Sequence, residues 1–210
     1  MKLGIGIPYY KNSPECEVAF KKLMKTLNDQ VGGNIVLEIF EDGQYSEWLH
    51  LYNRGKIEVH SPLIHLGIAA IRNMIKNYIL NVKKCDYIMF LDSDDMVDCD
   101  FVSKMYTAAC TNNYDMIVSR FMMNKKEISY AQRSNVAGIC LRTDFIKGIH
   151  FDENYNISED TLFIQEVYKR KPRIGIIDSN YYYNYGINPN SLMMRYERSE
   201  IKLMKEWGNE

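Results

Sequence analysis

The sequence predicts an α/β fold, a mainly parallel sheet flanked by helices. Three observations carry that expectation. Short apolar runs alternate with stretches of helical spacing in the order β-α-β-β-α-β-α-β over residues 1–120. Two of the runs end abruptly in carboxylates, at Glu41-Asp42-Gly43 and at Asp92-Ser93-Asp94-Asp95. A buried strand cannot carry clustered carboxylates. They must lie just past its C-terminal end, the edge where open α/β sheets bind ligands. Finally, 210 residues with 46% hydrophobic content suffice for one domain with a proper core.

The elements follow from pattern. Residues 3–7 alternate large and small and stop at Pro8, a first strand; its Gly4 and Gly6 lie inside the strand and lack the third glycine of a dinucleotide fingerprint. Residues 15–31 repeat apolar at Cys16, Phe20, Leu23, Met24, Leu27 and Val31, a helix stopped by Gly32-Gly33. Residues 34–40 form a second strand, 44–55 a polar loop anchored by Trp48, Leu49 and Leu51, and 56–60 a third strand. Residues 66–82 place Ile68, Ile71, Ile75, Tyr78, Ile79 and Val82 on one helical stripe, with Arg72 and Asn73 off it. Strand 86–91 runs into the acidic cluster. Asp98 is expected to cap a helix whose inward residues are Phe101, Val102, Met105 and Ala109, and residues 115–120 make a further strand.

The second half is less regular. The pattern predicts a hairpin or flap over 122–132, a strand over 136–141 and a short helix over 143–147. It then predicts a helix opened by Ser158-Glu159-Asp160 and running through Lys169, strands over 173–178 and 181–185, and a terminal helix or tail over 191–207. Residues 181–185 alternate, so one face of Tyr181, Tyr182, Tyr183 and Tyr185 can pack or stack on a sugar.

Charge and cysteine usage narrow the function classes. A net charge of −1 provides no basic field for nucleic acid or anionic membrane, and Lys125-Lys126 and Lys169-Arg170-Lys171 are too short to make one. The five cysteines are scattered without a C-x-x-C pair, which argues for reduced thiols in a cytoplasmic protein. Met1-Lys2 leads straight into a strand-like run, so no signal peptide is expected, and no apolar run approaches the length that spans a bilayer. None of the four histidines pairs with another at helical zinc spacing.

The 92–95 cluster admits two readings by itself. Packed carboxylates repel, and a divalent cation relieves the repulsion; alternatively Asp94 or Asp95 caps the next helix. Asp42 reaches the same sheet edge from a different strand, which favours a site.

At this point the chain resembles a known family. Gly6-Ile7-Pro8-Tyr9-Tyr10-Lys11-Asn12 is similar to the opening strand and loop of family 2 glycosyltransferases of the GT-A (Rossmann-like) fold. Ile39-Phe40-Glu41-Asp42-Gly43 resembles their "DDG" element, with Glu41 in place of the first Asp. Gly67 to Asn73 resembles the "G…A RN" helix, and Phe90 to Asp95 the DxD motif. Ala137-Gly138 with Leu141-Arg142, Phe151-Asp152-Glu153 and Ser158-Glu159-Asp160-Thr161 complete the pattern in the family's order.

The resemblance implies a metal-dependent, inverting glycosyltransferase that moves a sugar from a nucleotide diphosphate sugar, a UDP-sugar favoured, to an acceptor hydroxyl, most commonly of a saccharide. Residues 1–120 would bind the donor and 121–210, a smaller mixed region, the acceptor, within a single domain. Asp94 would ligate Mn²⁺ or Mg²⁺, and Asp92 would share in it or reach the ribose. Ser93 and Asp95 would border the donor, Asp95 on its sugar. Asp42 would hold the nucleobase or ribose, with Pro8 and Tyr9 shaping that end. Arg72 would contact the diphosphate or order the DxD loop. Asp160 is the implied catalytic base, with Gly138 and Glu159 on the acceptor side. Ser158 as an N-cap, and acidic residues in a first turn, fit a purely structural reading too. A mobile loop would come from Asn188 to Ser191 with Arg195. Two rivals stand: a nucleotidyltransferase, which lacks its usual Gly-rich basic loop here, and a non-catalytic nucleotide-sugar or glycan-binding module.

Overall fold

A computed structural model describes residues 1–52, 56–123, 125–129, 134–155 and 157–183. The terminal helix over 191–207, the Asn188–Ser191 loop with Arg195, and the end of the last strand at Tyr185 lie outside the described residues.

Among the described residues nine strands form one sheet: β1 Leu3–Tyr9, β2 Ile35–Glu41, β3 Ile57–His60, β4 Tyr87–Phe90, β5 Met96–Val97, β6 Met116–Met123, β7 Lys126–Ile128, β8 Cys140–Arg142 and β9 Ile174–Tyr183. The order is β3-β2-β1-β4-β8-β6-β9-β5, with β7 paired to β6 as the expected hairpin. β3, β2, β1 and β4 are mutually parallel. β8 is antiparallel to both β4 and β6, so β6 points the same way as β4, and β9 runs parallel to β6. The expected mainly parallel sheet is therefore present, with its mixed part at β8, β7 and β5.

Two apolar layers explain why this sheet is flanked on both faces. Leu3, Ile5 and Ile7 face Phe20, Leu23 and Leu27 of α1 (Pro14–Asn28) and the layer of Phe101 and Met105 from α4 (Phe101–Thr111). Ile88 and Phe90 face Ile71, Ile75 and Ile79, and Phe163 and Val167 of α5 (Glu159–Lys169). The even positions of β1 are Gly4 and Gly6 because a Cβ there would fall on Ile79 and Ile75. These glycines let α3 (Ile68–Asn77), which continues as a π turn over Tyr78–Val82, lie directly on the sheet.

β1 runs two residues further than the alternation predicts. Pro8 is tolerated because pairing with β4 ends at Gly6↔Phe90, where its missing N–H would otherwise be needed. Other expectations need correction. A short α2 (Glu47–His50) occupies the 44–55 loop; Leu49 anchors it, whereas Leu51 is exposed. Asp98 does not cap α4, since Asp100 takes that position and the Asp98 carboxylate accepts from Asn180 and Tyr182. Of the 136–141 run only Cys140 and Leu141 are in a strand, the start of β8, and 143–147 is turn rather than helix. Ser158 adopts φ +69 and makes no cap bond. Residues 174–183 form one strand, because a bulge opposite Ser119/Arg120 absorbs the irregularity that suggested two.

Lys76 is a buried cation of α3. Its ammonium donates to the Ile149 carbonyl and lies 3.2 Å from His150 Nδ1. Burial pushes its pKa down to about 8, below the usual 10.5. The unfolded chain then binds more protons between these values, so the Lys76 penalty is full below about pH 8 and is relieved as pH rises towards 10.5. Urea unfolding of wild type and Lys76→Met across pH 7–11 is expected to show wild-type stability rising relative to the variant over that window.

Candidate active site

The C-terminal edge of the parallel strands gathers the acidic residues. Asp92 to Asp95 follow β4, and Asp42 follows β2. α5 begins at Glu159 and brings Glu159-Asp160 to the same place. One side chain joins the two groups. Arg72, 4% exposed, donates through Nη2 to Asp92 Oδ1 at 2.7 Å and through Nη1 to Glu159 Oε1 at 2.5 Å. Burial alone would lower its pKa, but Asp92, Glu159 and Asp160 outweigh that and raise it. The guanidinium also lies over the Phe151 ring, at 5.8 Å. Its placement ties the 92–95 turn to the start of α5.

Asn73 reinforces the same junction. Its amide donates to the Phe151 carbonyl and to Glu153, and its oxygen accepts from the Phe151 N–H. Phe151 in turn stacks on Phe163 of α5 at 4.1 Å and meets Phe90 of β4 edge-on. Arg72 and Asn73 lie off the apolar stripe of α3 yet are buried, because Phe151, Glu153 and Glu159 lie against them.

Burial, then the charge of Asp92, pushes the Asp94 carboxyl up to about 6. Burial pushes Glu159 up to about 7, against the pull of Arg72. Asp160 is raised by burial, with Arg72 opposing and Asp92 adding; its Oδ1 accepts from the Thr161 N–H. Tyr183 stacks on Phe121, and its phenol is raised by burial and by Asp92, Asp95, Asp94 and Asp160. It therefore lies within electrostatic reach of both carboxylate groups.

Several predicted site residues are placed differently. Asp95 is 1% exposed and accepts from the Tyr181 hydroxyl, so it braces the loop rather than facing a donor sugar. Tyr9 is buried against Phe20 and Trp48 as packing, while Tyr10, exposed and tilted over His65 at 4.6 Å, is the aromatic at that mouth. Pro8 closes the β1–β4 pairing. Asp42 accepts from Leu66 N at 2.6 Å and Gly67 N at 3.0 Å and pairs with His65 at 2.8 Å. Its carboxylate thus holds the 65–67 loop, a role the sequence did not suggest. Gly138 is buried at φ +66 against the Tyr181 ring, and its N–H donates to Phe90 O. It serves packing rather than contact with an acceptor. Ser93 lies in the partly exposed turn. Glu41, which departs from the family pattern, turns to His50 and Ser61.

The donor set suits a hard divalent cation. Asp92 keeps one oxygen clear of Arg72, and Asp94 is raised by burial first and then by the like charge of Asp92, both of which a cation offsets. Two carboxylates with the remaining positions left to phosphate and water is how Mg²⁺-like ions are held. Among the described residues, Glu38, Glu58 and His60 also lie within ligand distance of one another. There Lys83 already supplies the positive charge, 3.2 Å from Glu38 and paired with Glu58.

Residues 76–170 match the profile of Glycosyl transferase family 2, a span holding the 92–95 cluster, Gly138 and Glu159-Asp160. Over that span the chain is similar to the family 2 glycosyltransferases. Crystal structures of S. aureus TarS 1-349 share its fold, with a TM-score of 0.72 at 17% identity, covering 87% of this chain and 60% of that one. The same TarS fragment solved with UDP gives the same values, and that with UDP-GlcNAc gives 0.71 at 18% identity, covering 87% and 58%. The chain thus spans about 60% of the length of the TarS fragment. A search of curated sequences finds no match. The sheet has the arrangement seen in GT-A structures, and among the described residues no helix is long and apolar enough to cross a membrane.

Removing the Arg72 bridge strands two carboxylates, one of them buried. Arg72→Met is expected to cost about 3–5 kcal/mol of stability, read by urea unfolding near neutral pH.

Proposed function

We propose that this domain transfers a sugar from a UDP-sugar to an acceptor hydroxyl with inversion. The carrying observation is the Arg72 bridge, which sets the donor-side carboxylates beside Glu159-Asp160. The TarS complexes with UDP and UDP-GlcNAc support the choice of nucleotide. In this reading residues 1–120 form the donor part, 121–210 the acceptor part, and a saccharide is the acceptor. The nucleotide enters at the mouth where Asp42 holds the 65–67 loop. Asp94 and Asp92 would hold Mn²⁺ or Mg²⁺, which would supply charge neutralisation for a departing nucleoside diphosphate. The protein works in the cytoplasm, where nucleotide sugars are available.

Asp160 takes the acceptor proton as the acceptor oxygen bonds to the anomeric carbon and the bond to the diphosphate breaks on the opposite side. The inner carboxylate, Glu159, stays engaged with Arg72, so Asp160 is the one left for proton transfer. Its raised pKa has a signed consequence. The base is competent only when ionised, so kcat/KM is expected to fall as pH drops through that raised value, above the ordinary Asp range. Asp160→Asn is expected to lose transfer by about 10²–10⁴-fold while calorimetry still detects UDP binding. Normal transfer by that variant would remove Asp160 from the mechanism.

Asp94→Asn tests the donor half. Its UDP affinity is expected to be the same with Mn²⁺ as with EDTA, whereas wild type binds UDP more tightly with Mn²⁺. An undiminished Mn²⁺ effect in the variant would overturn the assignment of Asp94.

A further inference from the structure

The turn that carries Asp92 and Asp94 is held at both ends by one hydroxyl from the far end of the chain. Tyr181 of β9 is fully buried, its ring stacked on Phe121 at 5.7 Å and tilted against Phe101 at 6.1 Å. Its hydroxyl accepts from the Asp92 N–H at 3.3 Å and donates to the Asp95 carboxylate. The Asp95 N–H returns to the Asp92 carbonyl at 3.2 Å. These contacts close the turn around Tyr181, with Ser93 and Asp94 at its open side.

The surroundings are shaped to admit this side chain. A Cβ on Gly138 would fall on the Tyr181 ring, and Gly138 is itself tied to the end of β4 through Phe90 O. The adjacent positions of β9 differ in kind: Tyr182 is exposed and bonds Asp98, outside the turn. A strand offers each residue one face, so the register of β9 on β6, Phe121↔Tyr181, decides which tyrosine reaches the turn.

We infer that Tyr181 is a positioning residue for donor binding: its hydroxyl fixes the 92–95 turn so that the Asp92 and Asp94 carboxylates face the nucleotide diphosphate together. Tyr181 touches neither donor nor cation; it acts through the turn. The inference rests on the reading of Asp92 and Asp94 as the donor-holding carboxylates.

Tyr181→Phe keeps the ring and deletes the hydroxyl. Two measurements follow. Hydrogen–deuterium exchange of peptides covering 91–96 is expected to quicken by about tenfold, the size of one lost net hydrogen bond, with β1 and β2 unchanged. Calorimetric titration with UDP is expected to show the Mn²⁺-dependent gain in affinity reduced by about tenfold, with affinity in EDTA unchanged. A merely structural role would lower the melting temperature without that selective loss. Asp95→Ala removes the other anchor of the same bridge and is expected to give both signatures, so the test survives if one variant fails to fold. Unchanged exchange over 91–96, or equal weakening of UDP with and without Mn²⁺, overturns the inference. Faster exchange with no Mn²⁺ effect even in wild type leaves the turn assignment standing and overturns the donor reading on which its function depends.

Discussion

The Arg72 guanidinium, buried in the first half of α3, binds a carboxylate from the loop after β4 and another from the start of α5. Removing such a cation from water is costly, and the cost is met only when its partners are held in place. That condition organises the site. Phe151 lies beneath the guanidinium and packs between Phe90 and Phe163, so the apolar layer fixes the distance that the ion pairs must span. Asn73, one residue on, fastens the 151–153 segment by three hydrogen bonds. The 92–95 turn and the helix bearing Asp160 therefore cannot move apart without exposing or unpairing a buried charge.

The sheet supplies the rest of the constraint. β8 enters between β4 and β6 as an antiparallel strand, which moves β6 and β9 one position outward and lets the 137–138 segment dock on the end of β4. β9 then delivers Tyr181 under the 92–95 turn and Tyr183 beside it. Residues 86 and 89 positions apart in the chain thus meet in one turn because the strand order makes them neighbours. The same layering accounts for the likeness to TarS at 17% identity, since a pattern of buried strand faces and helix stripes survives replacement of most side chains.

Much of this fold was legible in the sequence. The stripe Ile71, Ile75 and Ile79 marked the face of α3 that lies on the sheet, and the apolar run before Asp92 marked β4 and the edge where the site forms. Periodicity was a poorer guide where a residue's partner is neither helix nor sheet. Arg72 and Asn73 fall off the stripe and would be solvated on an isolated helix; they are buried because a long-range segment covers them. Ser158 and Asp98 have cap-like chemistry, but Ser158 sits in a left-handed conformation and the Asp98 carboxylate is occupied by β9. Asp95 looked like a third donor-side carboxylate, because nothing local distinguishes it from Asp94.

By itself the sequence determined the alternation of strands and helices, the sheet edge at which the carboxylates collect, and the residues of the DxD and Glu159-Asp160 motifs. Those are local properties, set by periodicity and by the cost of burying charge. The tertiary structure alone decided which carboxylate faces which partner: Asp92 and Glu159 on Arg72, Asp95 on Tyr181, Asp42 on the 65–67 amides. Each such pairing depends on strand order, on the register of β9 and on a glycine that admits a ring, and none of these is encoded within reach of the residue it governs.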